Sequence, residues 1–110
     1  METQFTTVAD EEALEELFAR SQEGPVVIFK HSNTCPISAM AYGRMKEFGS
    51  GVALVVVQQS RELSREVEAR TGVRHESPQV LVLRRGEPVW TASHFDITAE
   101  AVRRAVTENQ

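Results

Sequence analysis

Apolar residues fall along this chain in two kinds of pattern, and the alternation between them gives an order of elements. From Val26 to Phe29 and from Val52 to Val57 they run without a polar break. Unbroken runs of this length, rich in β-branched residues, predict strands covered on both faces. Before the first run, Leu14, Leu17 and Phe18 share one face of a helix. Asp10 is placed to cap it, Glu11 and Glu12 sit in its first turn, and Gly24-Pro25 ends it. A second helix is expected from about Cys35 and Pro36, because proline suits a first helical turn. Ile37, Ala41, Met45 and Phe48 recur along it at helical spacing, and Gly49-Ser50-Gly51 stops it. Ser60 can cap a third helix that carries Leu63 and Val67 and ends at Gly72. Gln4 to Val8 reads as a short edge strand.

Past Gly72 the rhythm changes. Val80 to Leu83 and Val89 to Thr91 read as two strands joined through Arg84-Arg85-Gly86-Glu87, a hairpin loop. Thr98 then caps a last helix, with Ile97 and Val102 spaced to form a hydrophobic staple across the cap. The order is β-α-β-α-β-α-β-β-α. Two buried strands joined through a helix form a parallel pair, and the late hairpin adds antiparallel strands. The expectation is an α/β chain with a mixed central sheet flanked by helices on both faces. This is also the order of elements in thioredoxin. No repeat or linker interrupts it, so one domain is expected over residues 1–110.

Composition narrows the function classes. The chain is 41% hydrophobic and 25% charged, as in soluble globular proteins. Its net charge is −4, and its twelve basic residues are scattered, which argues against a nucleic-acid partner. No basic and apolar leader stands at the N-terminus, and the longest apolar run is too short to cross a bilayer. A cytoplasmic protein without a membrane partner is expected, and a monomer. A single cysteine cannot form an internal disulfide, which suits a reducing compartment.

That cysteine, Cys35, is the candidate catalytic residue. A lone cysteine is more often a small buried hydrophobe, but this one follows a buried strand and begins a helix. Reacting groups collect at the carboxyl ends of strands in open α/β sheets. A helix N-terminus offers partial positive charge and free N–H groups. Both favour the nucleophilic thiolate. The local motif is Cys35-Pro36-Ile37-Ser38. Serine in the fourth position cannot resolve a mixed disulfide, and it can only hydrogen-bond to the Cys35 sulfur or to the helix turn. Any redox cycle is therefore monothiol.

Ser77-Pro78 stands immediately before a predicted strand. Proline can simply open a strand there. In a thioredoxin-type order its peptide bond is expected to be cis and to face the cysteine, leaving the Ser77 backbone free to pair with an extended substrate. His31, four residues before Cys35, either tunes the thiolate, contacts substrate, or is a solvated loop residue. His75 and His94 read as loop-holding residues, and Trp90 and Tyr42 as partly buried packing residues. Three histidines and one cysteine without ligand-like spacing leave no metal site to propose in a single chain.

The segment from His31 to Ser38, His-Ser-Asn-Thr-Cys-Pro-Ile-Ser, resembles the active-site segment of the YtxJ-like bacillithiol-system proteins, the monothiol bacilliredoxins. His75-Glu76-Ser77-Pro78-Gln79 resembles that family's proline loop, and Val89-Trp90, Ser93-His94 and Ile97-Thr98 also fit. Asn33 departs mildly, since threonine or another small residue is expected there. The resemblance implies a thioredoxin fold and exchange with bacillithiol, a low-molecular-weight thiol acting as co-substrate with no tightly bound cofactor. It implies Cys35 as the attacking thiol, Ser38 in place of a resolving cysteine, and Pro78 as the cis-proline beside the sulfur. Substrate contacts are expected from His31, Thr34, Pro36, Ile37, Ser38, Ser77 and Pro78, and the partners expected are S-thiolated client proteins. Two other functions compete. Two chains could share an iron–sulfur cluster through Cys35 and two external thiols, although Pro36 stiffens the loop. Alternatively, the chain could be a non-catalytic adaptor in a stress response.

Overall fold

The computed structural model describes residues 2–110. Five strands form one sheet in the order β1-β3-β2-β4-β5. Their ranges are β1 Gln4–Thr7, β2 Val26–His31, β3 Gly51–Val56, β4 Gln79–Arg84 and β5 Glu87–Ser93. β1 and β2 both run parallel to the intervening β3. β4 pairs antiparallel with β2, and β5 antiparallel with β4. The unbroken apolar runs therefore supply the sheet's interior strands, because only strands with neighbours on both sides and helices on both faces lose water everywhere.

Four helices cover the sheet: α1 Glu11–Arg20, α2 Pro36–Lys46, α3 Arg61–Thr71 and α4 Ala99–Glu108. Alternate strand residues face opposite sides. Val27 and Phe29 pack with Ala41 and Met45 of α2 and with Val102 and Ala105 of α4. Val26 and Ile28 pack with Leu14, Leu17 and Phe18 of α1 and with Leu63 and Val67 of α3. The expected mixed sheet with helices on both faces is the architecture found.

Element ends follow local chemistry. The Asp10 carboxylate accepts the Ala13 N–H at 2.9 Å, and the Thr98 hydroxyl accepts the Ala101 N–H at 3.1 Å. Ile97 and Val102, the staple pair, are both fully buried. Ser60 occupies the N-cap position of α3 but its side chain makes no capping bond. Phe48 lies beyond the end of α2 yet is still buried. The largest departure from the sequence pattern is in β2, which runs two residues past its apolar stretch and takes in Lys30 and His31. A short 3₁₀ turn, His94–Asp96, also follows β5 where no element was expected.

Gly72 ends α3 in the left-handed region, at φ +74°, and its N–H returns to the Glu68 carbonyl at 2.8 Å. A β-carbon there would meet nothing within 4 Å. The cost of Gly72→Ala is therefore conformational alone, about 1 kcal/mol. A shift of the urea midpoint of that size is expected, and an unshifted midpoint would show that the turn relaxes freely.

Candidate active site

Parallel β2 and β3 end where antiparallel β4 begins, so three connections meet at one end of the sheet. They are the segment from Ser32 to Cys35, the segment from Val57 to Ser60, and the segment from Gly72 to Pro78. The register fixes this, with His31 opposite Val56 and Lys30 opposite Gln79. One step beyond the Lys30–Gln79 pair, Pro78 comes level with His31. Residues as distant along the chain as His31 and Pro78 thus reach a common rim only through strand pairing.

Cys35 is the N-cap residue of α2, with extended backbone (φ −104°, ψ 123°), and Pro36 opens the first turn. Its carbonyl accepts the Ala39 N–H at 3.0 Å. Its thiol is free and partly exposed. Thr34 and Pro36 are exposed beside it and Ile37 is half-buried. These four consecutive residues are all at least partly open to solvent.

Ser38 differs from the expectation. Its side chain is fully buried, so it presents no surface to substrate and its partners are neither the sulfur nor the helix turn. The hydroxyl accepts the Ser32 N–H at 2.9 Å and lies 2.8 Å from His31 Nδ1. With one O–H and two lone pairs, the hydroxyl can pair with the Ser32 N–H and with Nδ1 at the same time. Ser38 is thus a clasp that ties the first turn of α2 to the end of β2. Burial lowers the pKa of His31 from its ordinary value, opposed by hydrogen bonding to Ser38, so His31 stays neutral near pH 7. Its ring lies 5.0 Å from that of Tyr42, which stacks on Phe5 at 4.7 Å.

A second latch was not visible in the sequence. Gln58, just past β3, donates through Nε2 to Ser32 Oγ at 2.6 Å and to Thr34 Oγ1 at 3.0 Å, while its Oε1 accepts the Asn33 N–H at 3.2 Å. The Val57 N–H also donates to the His31 carbonyl at 2.9 Å. The loop before Cys35 is therefore held from both sides, by Ser38 and by Gln58. No spacing rule marks a glutamine at the end of a strand, and only the tertiary fold brings it to the loop.

The Ser77–Pro78 peptide bond is cis. Pro78 is buried and Ser77 is half-buried, outside the β4 ladder. The Pro78 carbonyl accepts the His94 N–H at 3.1 Å, and His94 Nδ1 lies 3.9 Å from Glu76. His75 belongs to the other face of the sheet from His31. Its Nδ1 is 3.2 Å from Lys30 Nζ, and its N–H donates to Glu68 Oε2 at 2.9 Å. Both later histidines therefore hold the proline loop in place. Among the described residues, no group of three potential metal-ligating side chains comes together, and no helix is long and apolar enough to cross a membrane.

A family model for monothiol bacilliredoxin BrxC matches residues 6–102. The chain belongs to that family. Membership carries redox function and accounts for the single cysteine, since a monothiol member needs no resolving partner in the chain. A solved thioredoxin-fold structure described as an oxidoreductase is 35% identical, with 92% of each chain covered and a TM-score of 0.81. Fasciola hepatica thioredoxin matches at 16% identity over 94% of this chain and 98% of its own, with a TM-score of 0.72. A thioredoxin of Nicotiana alata matches at 12% identity over 100% of this chain and 96% of its own, with a TM-score of 0.75. The last two share the fold.

Proposed function

We propose that this chain is a monothiol thiol–disulfide oxidoreductase that removes bacillithiol from protein mixed disulfides through Cys35. The observation that carries the reading is the lone, partly exposed Cys35 at the N-cap of α2, in a loop clasped by Ser38 and Gln58. Rigidity of the loop keeps the sulfur in place without a second cysteine. The Cys35 thiolate attacks the bacillithiol sulfur of the mixed disulfide. That S–S bond breaks, the client's sulfur leaves as thiolate and takes up a proton, and a Cys35–bacillithiol disulfide forms. A second bacillithiol thiolate then attacks the bacillithiol sulfur, yielding bacillithiol disulfide and restoring Cys35.

Thr34, Pro36 and Ile37 form the surface next to the sulfur, and His31 supports it from the end of β2. The Ser77 main chain, outside the ladder, offers N–H and C=O groups to an extended client segment. Pro78, buried just before β4, backs that segment. Ser38, buried beneath this surface, holds His31 and Ser32. The low-molecular-weight thiol is a co-substrate, S-thiolated proteins are the clients, and the cytoplasm of a thiol-containing cell is the setting in which this cycle runs.

Mass spectrometry after mixing with oxidised bacillithiol tests the reading. One bacillithiol adduct per chain is expected, located on Cys35, with release of bacillithiol from a thiolated client. Cys35→Ala should lose both. An unmodified wild type, or transfer that persists in Cys35→Ala, would remove the proposal.

A further inference from the structure

On the α3 face of the sheet, at the same end as Cys35, lies a recess of about 300 Å³ lined by Val57, Arg61, Ser64, Arg65, Glu68 and His75. None of these residues except His75 stands in either motif. Arg61 and Arg65, one helical turn apart, form no ion pair with any described residue. The Ser64 hydroxyl, on a residue only 3% exposed, has no hydrogen-bond partner. A buried hydroxyl left unpaired costs about 1–3 kcal/mol, so such a group in a native fold calls for an absent partner.

The charge of the recess can be followed residue by residue. Lys30 lies beneath it, with Nζ 3.2 Å from the Ser64 carbonyl and 3.2 Å from His75 Nδ1. Because Nδ1 accepts from an ammonium group, His75 carries its proton on Nε2 and is a donor on that side. Glu68 is the one acid in the lining. One of its oxygens is taken by the His75 N–H, and its charge is set against Lys30. Two guanidinium groups, one hydroxyl and one imidazole N–H remain as donors, against the single remaining Glu68 oxygen as acceptor. That set matches a carboxylate or another oxyanion.

The recess and the reacting sulfur share one end of the sheet, on its opposite faces, and the rim between them joins the two. Val57, on its rim, donates to the His31 carbonyl, and its neighbour Gln58 grips Thr34 next to Cys35. His75, on the opposite rim, is two residues before Ser77 in the proline loop. We propose that this recess is an anion subsite that binds a carboxylate of the small thiol while its sulfur is joined to Cys35. The proposal deepens the thiol-exchange reading and rests on it. It makes the chain select acidic small thiols over neutral or basic ones.

Three small disulfides test it: 2-hydroxyethyl disulfide (neutral), cystamine (cationic) and 3,3′-dithiodipropionate (dianionic). Reaction with the neutral disulfide reports on Cys35 chemistry alone. If it fails, the exchange reading fails. With a net charge of −4, the whole-protein field would favour cystamine over the dianion. The subsite predicts the opposite order, with the dianion reacting about tenfold faster than the neutral compound. Arg61→Gln with Arg65→Gln should abolish that preference and leave the neutral rate unchanged. A charge-matched control, Arg85→Gln with Arg104→Gln, should keep it. Ser64→Ala, which changes no charge, should reduce the preference severalfold. A dianion rate at or below the neutral rate, or a preference that the arginine variants retain, overturns the subsite while leaving Cys35 exchange standing.

Discussion

Between pH 8 and 10.5 the protein should become more stable by about 3 kcal/mol, and Lys30→Met should remove that rise. Lys30 is fully buried at the end of β2. Desolvation lowers its pKa from 10.5 to about 8, with the nearby Glu68 charge opposing. A group with a depressed folded pKa binds its proton more weakly in the native state than in the unfolded chain. Within that window the unfolded chain still holds a proton that the folded protein has released, so stability increases with pH. Below pH 8 both states are protonated and the full desolvation penalty is present. Methionine fills similar volume and does not titrate. It leaves the Ser64 carbonyl and His75 Nδ1 without their donor, so its stability at neutral pH is a separate quantity. The difference between the two pH profiles isolates the lysine. Urea midpoints of both proteins at about pH 7.5, 9 and 10.5 provide it. Parallel profiles would mean that Lys30 is hydrated in solution and carries no penalty.

Ser38→Ala is expected to cost about 2–4 kcal/mol, through two orphaned partners rather than lost packing. The hydroxyl satisfies the Ser32 N–H and His31 Nδ1 together. Alanine fits the same space but leaves a backbone donor and a ring nitrogen unpaired, both at part-buried positions. The loss falls on the loop that carries Cys35. Amide exchange at Ser32 should therefore accelerate more than exchange in β2 itself. Reaction of Cys35 with 2-hydroxyethyl disulfide should continue, since the nucleophile is intact, while transfer from a protein client weakens as the loop loses its fixed shape. An unchanged urea midpoint together with unchanged Ser32 exchange would show that water replaces the hydroxyl without cost.

These two residues also mark how far the sequence could be read. The order of nine elements follows from apolar spacing and from Asp10, Gly72 and Thr98 at helix ends, and the structure contains it. The pattern missed Lys30 because a lysine after four apolar residues reads as the end of a strand. Only the overlying Ser64 carbonyl and His75 make a buried ammonium tolerable there. Ser38 was legible as the residue that takes the place of a resolving thiol. Its actual bonds were not, since they run back seven and six residues to the end of β2. Gln58 and the Arg61–Arg65 recess carried no local signal at all.

The sequence by itself determined a monothiol chain: one cysteine, opened into a helix by Pro36, with serine where a second thiol would stand. Those properties are local, set by residue chemistry and by backbone preferences within a turn. The tertiary structure decided what surrounds that cysteine. Parallel pairing of β2 with β3, and antiparallel pairing with β4, bring Gln58, Ser77, Pro78 and the α3 recess to the same rim. Strand register is a long-range quantity fixed by burial of both sheet faces at once, so no short stretch of the chain contains it.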